Sequence, residues 1–269
     1  MAEPFRLMSI MAHPDDESLG VGGTMAHYAA EGVETYLVTA TRGERGWNGK
    51  PEEYPGLEGL GRIREAELRD AGEVLGIREI TFLDYIDGDL DLADPQEAIA
   101  RITKELCRIK PHVVLTFGPD GAYGHPDHIA ICQFTTAAVA RAADSDYTAK
   151  LDCPPYRVDK LYYMAASRAL GEVYLPAFGD ISMTIDGVER HMVVWEDWAI
   201  TTWIDAKAHW QTVWRAVACH RSQLPNYDRL TQLGEEDHQK LWGQQTFYRA
   251  LSLVNGGRRP EHDLFEGLR

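Results

Sequence analysis

The chain has 269 residues, 44% hydrophobic and 26% charged, and its 27 Lys and Arg against 42 Asp and Glu leave a formal net charge of −15. That length can bury a full core as a single α/β domain. The acidic balance argues against a nucleic-acid partner, whose binders cluster Lys and Arg to neutralise phosphates, and against a basic helix lying on a membrane.

No apolar run approaches bilayer length, so no membrane span is expected. The four cysteines, Cys107, Cys132, Cys153 and Cys219, are far apart and form no CxxC pair. They read as free thiols of a reducing compartment rather than a disulfide framework. The segment Met1-Ala2-Glu3-Pro4 runs into a strand with no basic-then-apolar leader, which predicts a cytoplasmic protein.

Along the chain, the apolar run from Phe5 to Met11 predicts a short buried strand, and Ser18 to about Glu31 a helix ending near Gly32. Residues 33–40 predict the next strand. A Gly-rich charged loop then runs from Thr41 through Pro51 and Pro55, and loops of that length in compact domains are often functional. An amphipathic helix is expected over 58–75, with Leu60, Ile63, Leu68, Ala71, Val74 and Leu75 sharing a face. Residues 79–83 predict a third strand, 95–109 a helix, 112–117 a strand and 128–143 an apolar helix.

The alternation of strands and helices argues for βαβ crossovers and a doubly wound, mostly parallel sheet with helices on both faces. Beyond residue 144 the pattern weakens: strands are expected at 158–165 and 181–187, a helix at 205–220 and mixed structure at 241–253. With no repeat or linker, the expectation is one domain over 1–269, a Rossmann-like core at 1–165 and a C-terminal elaboration at 166–269. Gly20, Gly22 and Gly23 imitate part of a dinucleotide fingerprint, but they fall inside the predicted helix and suit close helix–sheet packing. The tryptophans Trp195, Trp198, Trp203, Trp210, Trp214 and Trp242 read as core or subunit-interface packing before a sugar-stacking surface, and a homo-oligomer stays open.

Two clusters carry the chemistry. His13-Pro14-Asp15-Asp16 follows the first strand, and His125-Pro126-Asp127-His128 follows the strand at 112–117. Ligands in open α/β sheets bind at the carboxyl ends of the strands. His13, Asp16 and one histidine of the second cluster are three mixed nitrogen and oxygen donors, the set a catalytic zinc takes while keeping one position open. Asp15 is then left over as a base. Taken alone, Asp15 and Asp127 could also be read as helix N-caps, and capping need not exclude a catalytic role.

Ala12-His13-Pro14-Asp15-Asp16-Glu17 together with Gly124-His125-Pro126-Asp127-His128 resembles the zinc-dependent de-N-acetylases of the LmbE-like (PIG-L) family, over about residues 5–135. A fainter echo stands at Ala218-Cys219-His220-Arg221-Ser222-Gln223. That family includes bacterial enzymes that deacetylate N-acetylglucosaminyl precursors of low-molecular-weight thiols.

The resemblance implies that His13, Asp16 and His128 hold the metal, zinc by likeness although ferrous iron suits the same donors. It makes Asp15 the general base toward the attacking water. His125 becomes the partner of the oxyanion or the departing amine, and Asp127 the residue that holds His125 or tunes its basicity. Substrate contacts map onto Gly43-Glu44, Arg64 with Glu67-Leu68, Asp87-Gly88 and Tyr123, the last a side chain able to swing over the site. Arg64 could instead be a surface residue paired with Glu67, and Tyr123 a loop anchor.

The implied activity is removal of an acetyl group from an N-acetylated amino sugar or glycoconjugate. A neighbouring reading is an amidase of a larger sugar-linked thiol conjugate. A rival class is a non-catalytic nucleotide- or sugar-binding α/β protein.

Overall fold

The computed structural model describes residues 3–227, 229–257 and 259–269. Met1 and Ala2, part of the segment read above for a leader, lie outside the described residues.

The elements alternate as expected through the first half: β1 (Arg6–Met11), α1 (Asp16–Ala30), β2 (Glu34–Thr41), α2 (Leu57–Leu75), β3 (Glu79–Tyr85), α3 (Pro95–Ile109) and β4 (Val113–Thr116). A helical turn α4 (Gly121–Gly124) leads into α5 (Pro126–Ala142), α6 (Ser145–Lys150) and β5 (Lys160–Met164). The C-terminal part holds α7 (Arg168–Phe178), a hairpin of β6 (Ser182–Ile185) and β7 (Val188–His191), then β8 (Thr202–Asp205), α8 (Trp210–Val217), α9 (Glu235–Trp242) and β9 (Gln244–Ser252).

Seven strands form one sheet in the order β3-β2-β1-β4-β5-β9-β8. The first five are mutually parallel, while β9 is antiparallel to both β5 and β8. After β3 the chain returns across the sheet to pair β4 with β1 on the side opposite β2. With right-handed crossovers that reversal puts later helices on the other face: α1 packs with α2 and α8, and α3 packs with α5. β1 and β4 are therefore buried on both faces, which is why they read as continuous apolar runs. Their carboxyl ends diverge at the switch point, and both His/Asp clusters begin there.

Several boundaries differ from the sequence reading. α5 begins two residues earlier than expected because Pro126 suits the first helical position, and α1 begins at Asp16, two residues before Ser18. Ile63, expected on the buried face of α2, is 40% exposed, whereas Leu60, Leu68 and Ala71 are fully buried. Residues 241–253 resolve into the end of α9 and the nine-residue strand β9, and β8 was not anticipated. Among the described residues, no helix is long and apolar enough to cross a membrane.

The C-terminal part adds a second, smaller core of Ala177, Val213, Val217, Leu230, Leu241 and Trp242. Trp210 and Trp214 pack against it, while Trp198 is 75% exposed. The glycines of α1 are what let these elements close in. A Cβ on Gly23 would lie 2.8 Å from the Ala206 Cβ and 3.0 Å from the Trp242 carbonyl oxygen. Gly23→Val should therefore cost about 1–3 kcal/mol by overpacking. A thermal melt of the variant that matched the parent would refute this account of the Gly-rich stretch.

Candidate functional site

The loop from β1 to α1 shapes the first half of the site. The Asp16 Oδ2 accepts from the backbone N–H groups of Ala12, 3.2 Å, and His13, 2.7 Å, so the carboxylate is held against its own loop. Asp15 adopts φ 105°, a region that a residue other than glycine occupies only when its surroundings force it. The second half comes from β4, the turn at Gly121–Gly124 and the first turn of α5, which carries His128.

Three donor side chains from these two loops meet in a triangle, with Asp16 turning a different oxygen to each histidine. His128 Nε2 lies 3.3 Å from His13 Nδ1, His13 Nδ1 lies 3.6 Å from Asp16 Oδ2, and Asp16 Oδ1 lies 3.6 Å from His128 Nε2. A tetrahedral ion with bonds of 2.0–2.1 Å separates its ligands by about 3.3–3.4 Å, so this triangle fits zinc with little movement. All three side chains are buried, and His13, Asp16 and His128 form one of two groups of metal-capable side chains among the described residues. The other, His13, His125 and Asp127, needs the opposite nitrogen of His13.

Each histidine is oriented from behind. His128 Nδ1 donates to the Gly121 carbonyl, 3.2 Å, and Phe117 stacks on its ring at 3.8 Å, leaving Nε2 unprotonated toward the triangle. His13 Nε2 donates to Asp127 Oδ2 and Asp87 Oδ1, both at 3.1 Å, leaving Nδ1 free to ligate. Carboxylate–histidine pairs of this kind fix the tautomer of metal-binding imidazoles. Burial opposes charge on His13, yet Asp127, Asp87 and Asp16 raise its pKa. Burial pushes Asp16 up to about 7 against the pull of His13, with Asp15 adding to the rise. Carboxylates crowded and buried in this way favour a cation among them.

The holding role expected of Asp127 needs correction, although its charge does pull the His125 pKa upward as expected. Its carboxylate does not hold His125: Oδ2 takes His13 and the Gly88 N–H, 2.7 Å, and Oδ1 takes the Leu90 N–H, 3.1 Å. Only the Asp127 backbone N–H reaches His125, donating to Nδ1 at 3.1 Å, so His125 and not Asp127 caps α5. With Nδ1 accepting, His125 presents Nε2–H to the cavity. Burial and the nearby His13 lower its pKa to about 4, which keeps the ring neutral.

Asp15 does not cap α1 through its side chain. Its Oδ2 lies 3.2 Å from Arg64 Nη2, and the same guanidinium donates to the Pro14 carbonyl and, through Nη1, to the Gly43 carbonyl at 3.0 Å. Arg64 is therefore a buried brace and not a helix-surface partner of Glu67. Gly43, at φ 66°, is what admits it: a Cβ there would lie 2.2 Å from Nη1. Glu67 turns instead to Ser222, accepting from its N–H at 2.8 Å and its hydroxyl at 2.7 Å.

The expected substrate contacts divide accordingly. Arg64, Asp87 and Tyr123 line a cavity of about 800 Å³ that opens from the triangle, together with His13, Asp15 and His125. Asp87 is already engaged by His13 and by the Arg45 N–H, 3.2 Å. Against that set, the hydrogen bond and charge of His13 overcome burial and bring Asp87 down to about 2. Glu44 stands off the cavity wall and accepts from the Asp87 N–H at 3.2 Å, which ties it to the loop after β3. Tyr123 sits edge-on to His125 and His128, at ring distances of 5.8 and 5.5 Å.

Sequence reasoning missed the contribution of the C-terminal part. Gln223 donates to the Gly46 carbonyl at 2.8 Å and accepts from Asn48 at 3.0 Å, and both Gln223 and Asn48 line the cavity. Trp195 Nε1 donates to Asp120, another lining residue, at 2.9 Å. The echo at Ala218–Gln223 was the one available signal. The cavity wall also carries apolar side chains from the C-terminal part, among them Leu170, Tyr174, Phe178, Met183, Met192 and Val193.

Comparison with known proteins identifies the family. The sequence model of the family described as "PIG-L: GlcNAc-PI de-N-acetylase" matches residues 8–139. The chain is 33% identical to a 1D-myo-inositol 2-acetamido-2-deoxy-alpha-D-glucopyranoside deacetylase of Rhodococcus jostii, over 98% of each chain. It is 28% identical to a mycothiol S-conjugate amidase of Streptomyces coelicolor, over 100% of this chain and 99% of that one. Its fold is similar to that of N,N'-diacetylchitobiose deacetylase from Pyrococcus horikoshii, with a TM-score of 0.69 and 21% identity over 91% of this chain and 83% of that one. The chain thus belongs to the GlcNAc-PI de-N-acetylase (PIG-L) family and is an enzyme of that deacetylase type.

Proposed function

We propose that this enzyme hydrolyses the acetamide of an N-acetylated amino sugar or glycoconjugate, releasing acetate and the free amine. The observation that carries the reading is the His13–Asp16–His128 triangle with Asp15 and His125 on the same cavity wall. In this reading His13, Asp16 and His128 hold a zinc ion, for which ferrous iron is the alternative with the same donors. Once bound, the ion is a Lewis acid that polarises the amide carbonyl and makes water nucleophilic at neutral pH.

The chain's own residues do the rest. Asp15 accepts a proton from the attacking water as the new C–O bond forms. His125 Nε2–H donates to the oxygen on which negative charge develops. The C–N bond then breaks, and the proton taken up by Asp15 goes to the departing nitrogen. Asp127 and Asp87 keep His13 in its ligating tautomer, Arg64 steadies the Asp15 carboxylate, and Tyr123 closes the rim over the substrate. We further propose that residues 1–269 work as one domain, in the cytoplasm, on small molecules and without a nucleic-acid partner. The free thiols of all four cysteines agree with that compartment.

Acetate release from a panel of N-acetylglucosaminides, before and after chelation, tests this. Turnover should disappear with the chelator and return with zinc or ferrous ion; chelator-insensitive hydrolysis, or no acetate from any member, would refute it. The amidase reading keeps one observation in its favour. A cavity of about 800 Å³ with Leu170, Tyr174, Phe178 and Met183 on its wall has room beyond an N-acetyl sugar, and it suits a bulky conjugate. Bulkier sugar-linked amides assayed in parallel separate the two.

A further inference from the structure

We propose that the buried pair Glu17–His220 is a positioning device that sets the backbone of Asp15, and that the C-terminal part thereby holds the base in place. This rests on the role given above to Asp15.

Both carboxylate oxygens of Glu17 are engaged. Oε2 accepts the Asp15 N–H at 3.0 Å, and Oε1 accepts the Ser18 hydroxyl and His220 Nε2–H, the latter at 2.8 Å. Glu17 and His220 are each about 1% exposed, so Glu17 faces neither solvent nor substrate. It is also absent from the cavity wall.

What the pair acts on is the strained residue. Asp15 stands at φ 105° and ψ −24°, and its carbonyl accepts from Ser18 and Leu19 at 3.1 and 2.9 Å. The N–H of Asp15 points the other way, into Glu17. A conformation of this kind persists only where its neighbours over-determine it. Arg64 fixes the side chain and Glu17 fixes the N–H. Glu17 in turn keeps its rotamer because His220 arrives from 203 residues away and joins Ser18 on Oε1.

His220 has little else to do. Among the described residues its Nδ1 is buried with no hydrogen-bond partner, an arrangement that a residue retained only for packing would avoid. It sits between Ser222, bonded to Glu67 of α2, and the end of α8, so its approach to Glu17 is set by two anchored neighbours.

The test uses the full-length enzyme loaded with zinc. His220→Ala removes the donor, His220→Gln restores an N–H in reach of Glu17, and Glu17→Asp keeps the charge but is too short to serve both His220 and Asp15. His220→Ala and Glu17→Asp should lose about tenfold to a hundredfold in kcat, as expected for a misaligned reacting group. KM and zinc stoichiometry should hold, and amide hydrogen exchange at Asp15 should quicken. His220→Gln should recover most of kcat and of the exchange protection.

Unchanged exchange at Asp15 in both His220→Ala and Glu17→Asp would overturn the proposal, as would equal losses in His220→Ala and His220→Gln. If His220→Ala does not fold, Glu17→Asp with His220→Gln decides alone. The exchange measurement needs no substrate, so a wrong assignment of the reaction would leave it intact and would show instead as an inactive parent enzyme.

Discussion

Asp15→Asn should still take up zinc in the parent's stoichiometry while losing about 10²- to 10⁴-fold of turnover, the contribution of a positioned general base. The substitution keeps the shape of the side chain and its contact with Arg64 Nη2, which lies 3.2 Å from Oδ2. What it removes is the ability to accept a proton. His13→Ala should behave in the opposite order. It deletes one donor of the triangle and leaves Asp127 and Asp87 without the imidazole they share, so metal content should fall first and activity with it. Metal analysis beside steady-state kinetics separates the two outcomes. An Asp15→Asn enzyme with near-parent kcat under metal-replete conditions would remove Asp15 from the mechanism.

The largest expected effect on stability lies far from this chemistry. Lys160 is fully buried on β5, and its Nζ donates to Glu261 Oε1 and the Glu266 carbonyl, both at 2.7 Å. Glu261 also accepts from Tyr162, 2.8 Å, and Thr202, 3.1 Å, and pairs with Arg249 at 2.8 Å. This one carboxylate ties the segment after β9 to β5, β8 and β9. Glu261→Ala would leave the Lys160 ammonium buried without its counter-charge, at a cost of about 3–5 kcal/mol. A denaturant melt in which Glu261→Ala lost less than 1 kcal/mol, the range of about 0–1 kcal/mol for an exposed pair, would show that the network is not coupled to folding.

The same carboxylate has a pH signature. Burial would raise the pKa of Glu261, but Lys160, Asn255 and Tyr162 together hold it below the ordinary glutamate value. A depressed folded-state pKa contributes stability that is fully present above the unfolded value. It is lost as pH falls through the folded value. Parent and Glu261→Ala melting curves should therefore converge in acid and diverge toward neutrality.

Much of the site's chemistry was readable because it is local. His13, Asp15 and Asp16 follow an apolar strand within five residues, and His125 to His128 follow another, so strand-end position and donor type are both visible in short stretches. The parallel core was equally legible, since β1 and β4 are buried on both faces and their apolar runs are continuous.

Partners across long sequence distances were not legible, because a carboxylate looks the same whichever histidine it serves. Asp127 was expected on His125, two residues away, but the fold brings His13 to it across 114 residues. Arg64 fits a helix-surface pattern with Glu67, and only the close approach at Gly43 and the loop after β1 turns it inward. β8 escaped notice because it is only four residues long, and β9 because its burial pattern is neither continuous nor strictly alternating.

The sequence by itself determined which donors and acids the enzyme has and that two strand ends carry them, because periodicity and residue type are written locally. Only the tertiary structure decided which nitrogen of His13 faces the triangle, which carboxylates stand behind it, and that His220 reaches the loop of the base. Those choices depend on packing and hydrogen-bond competition among groups that only the folded sheet brings together.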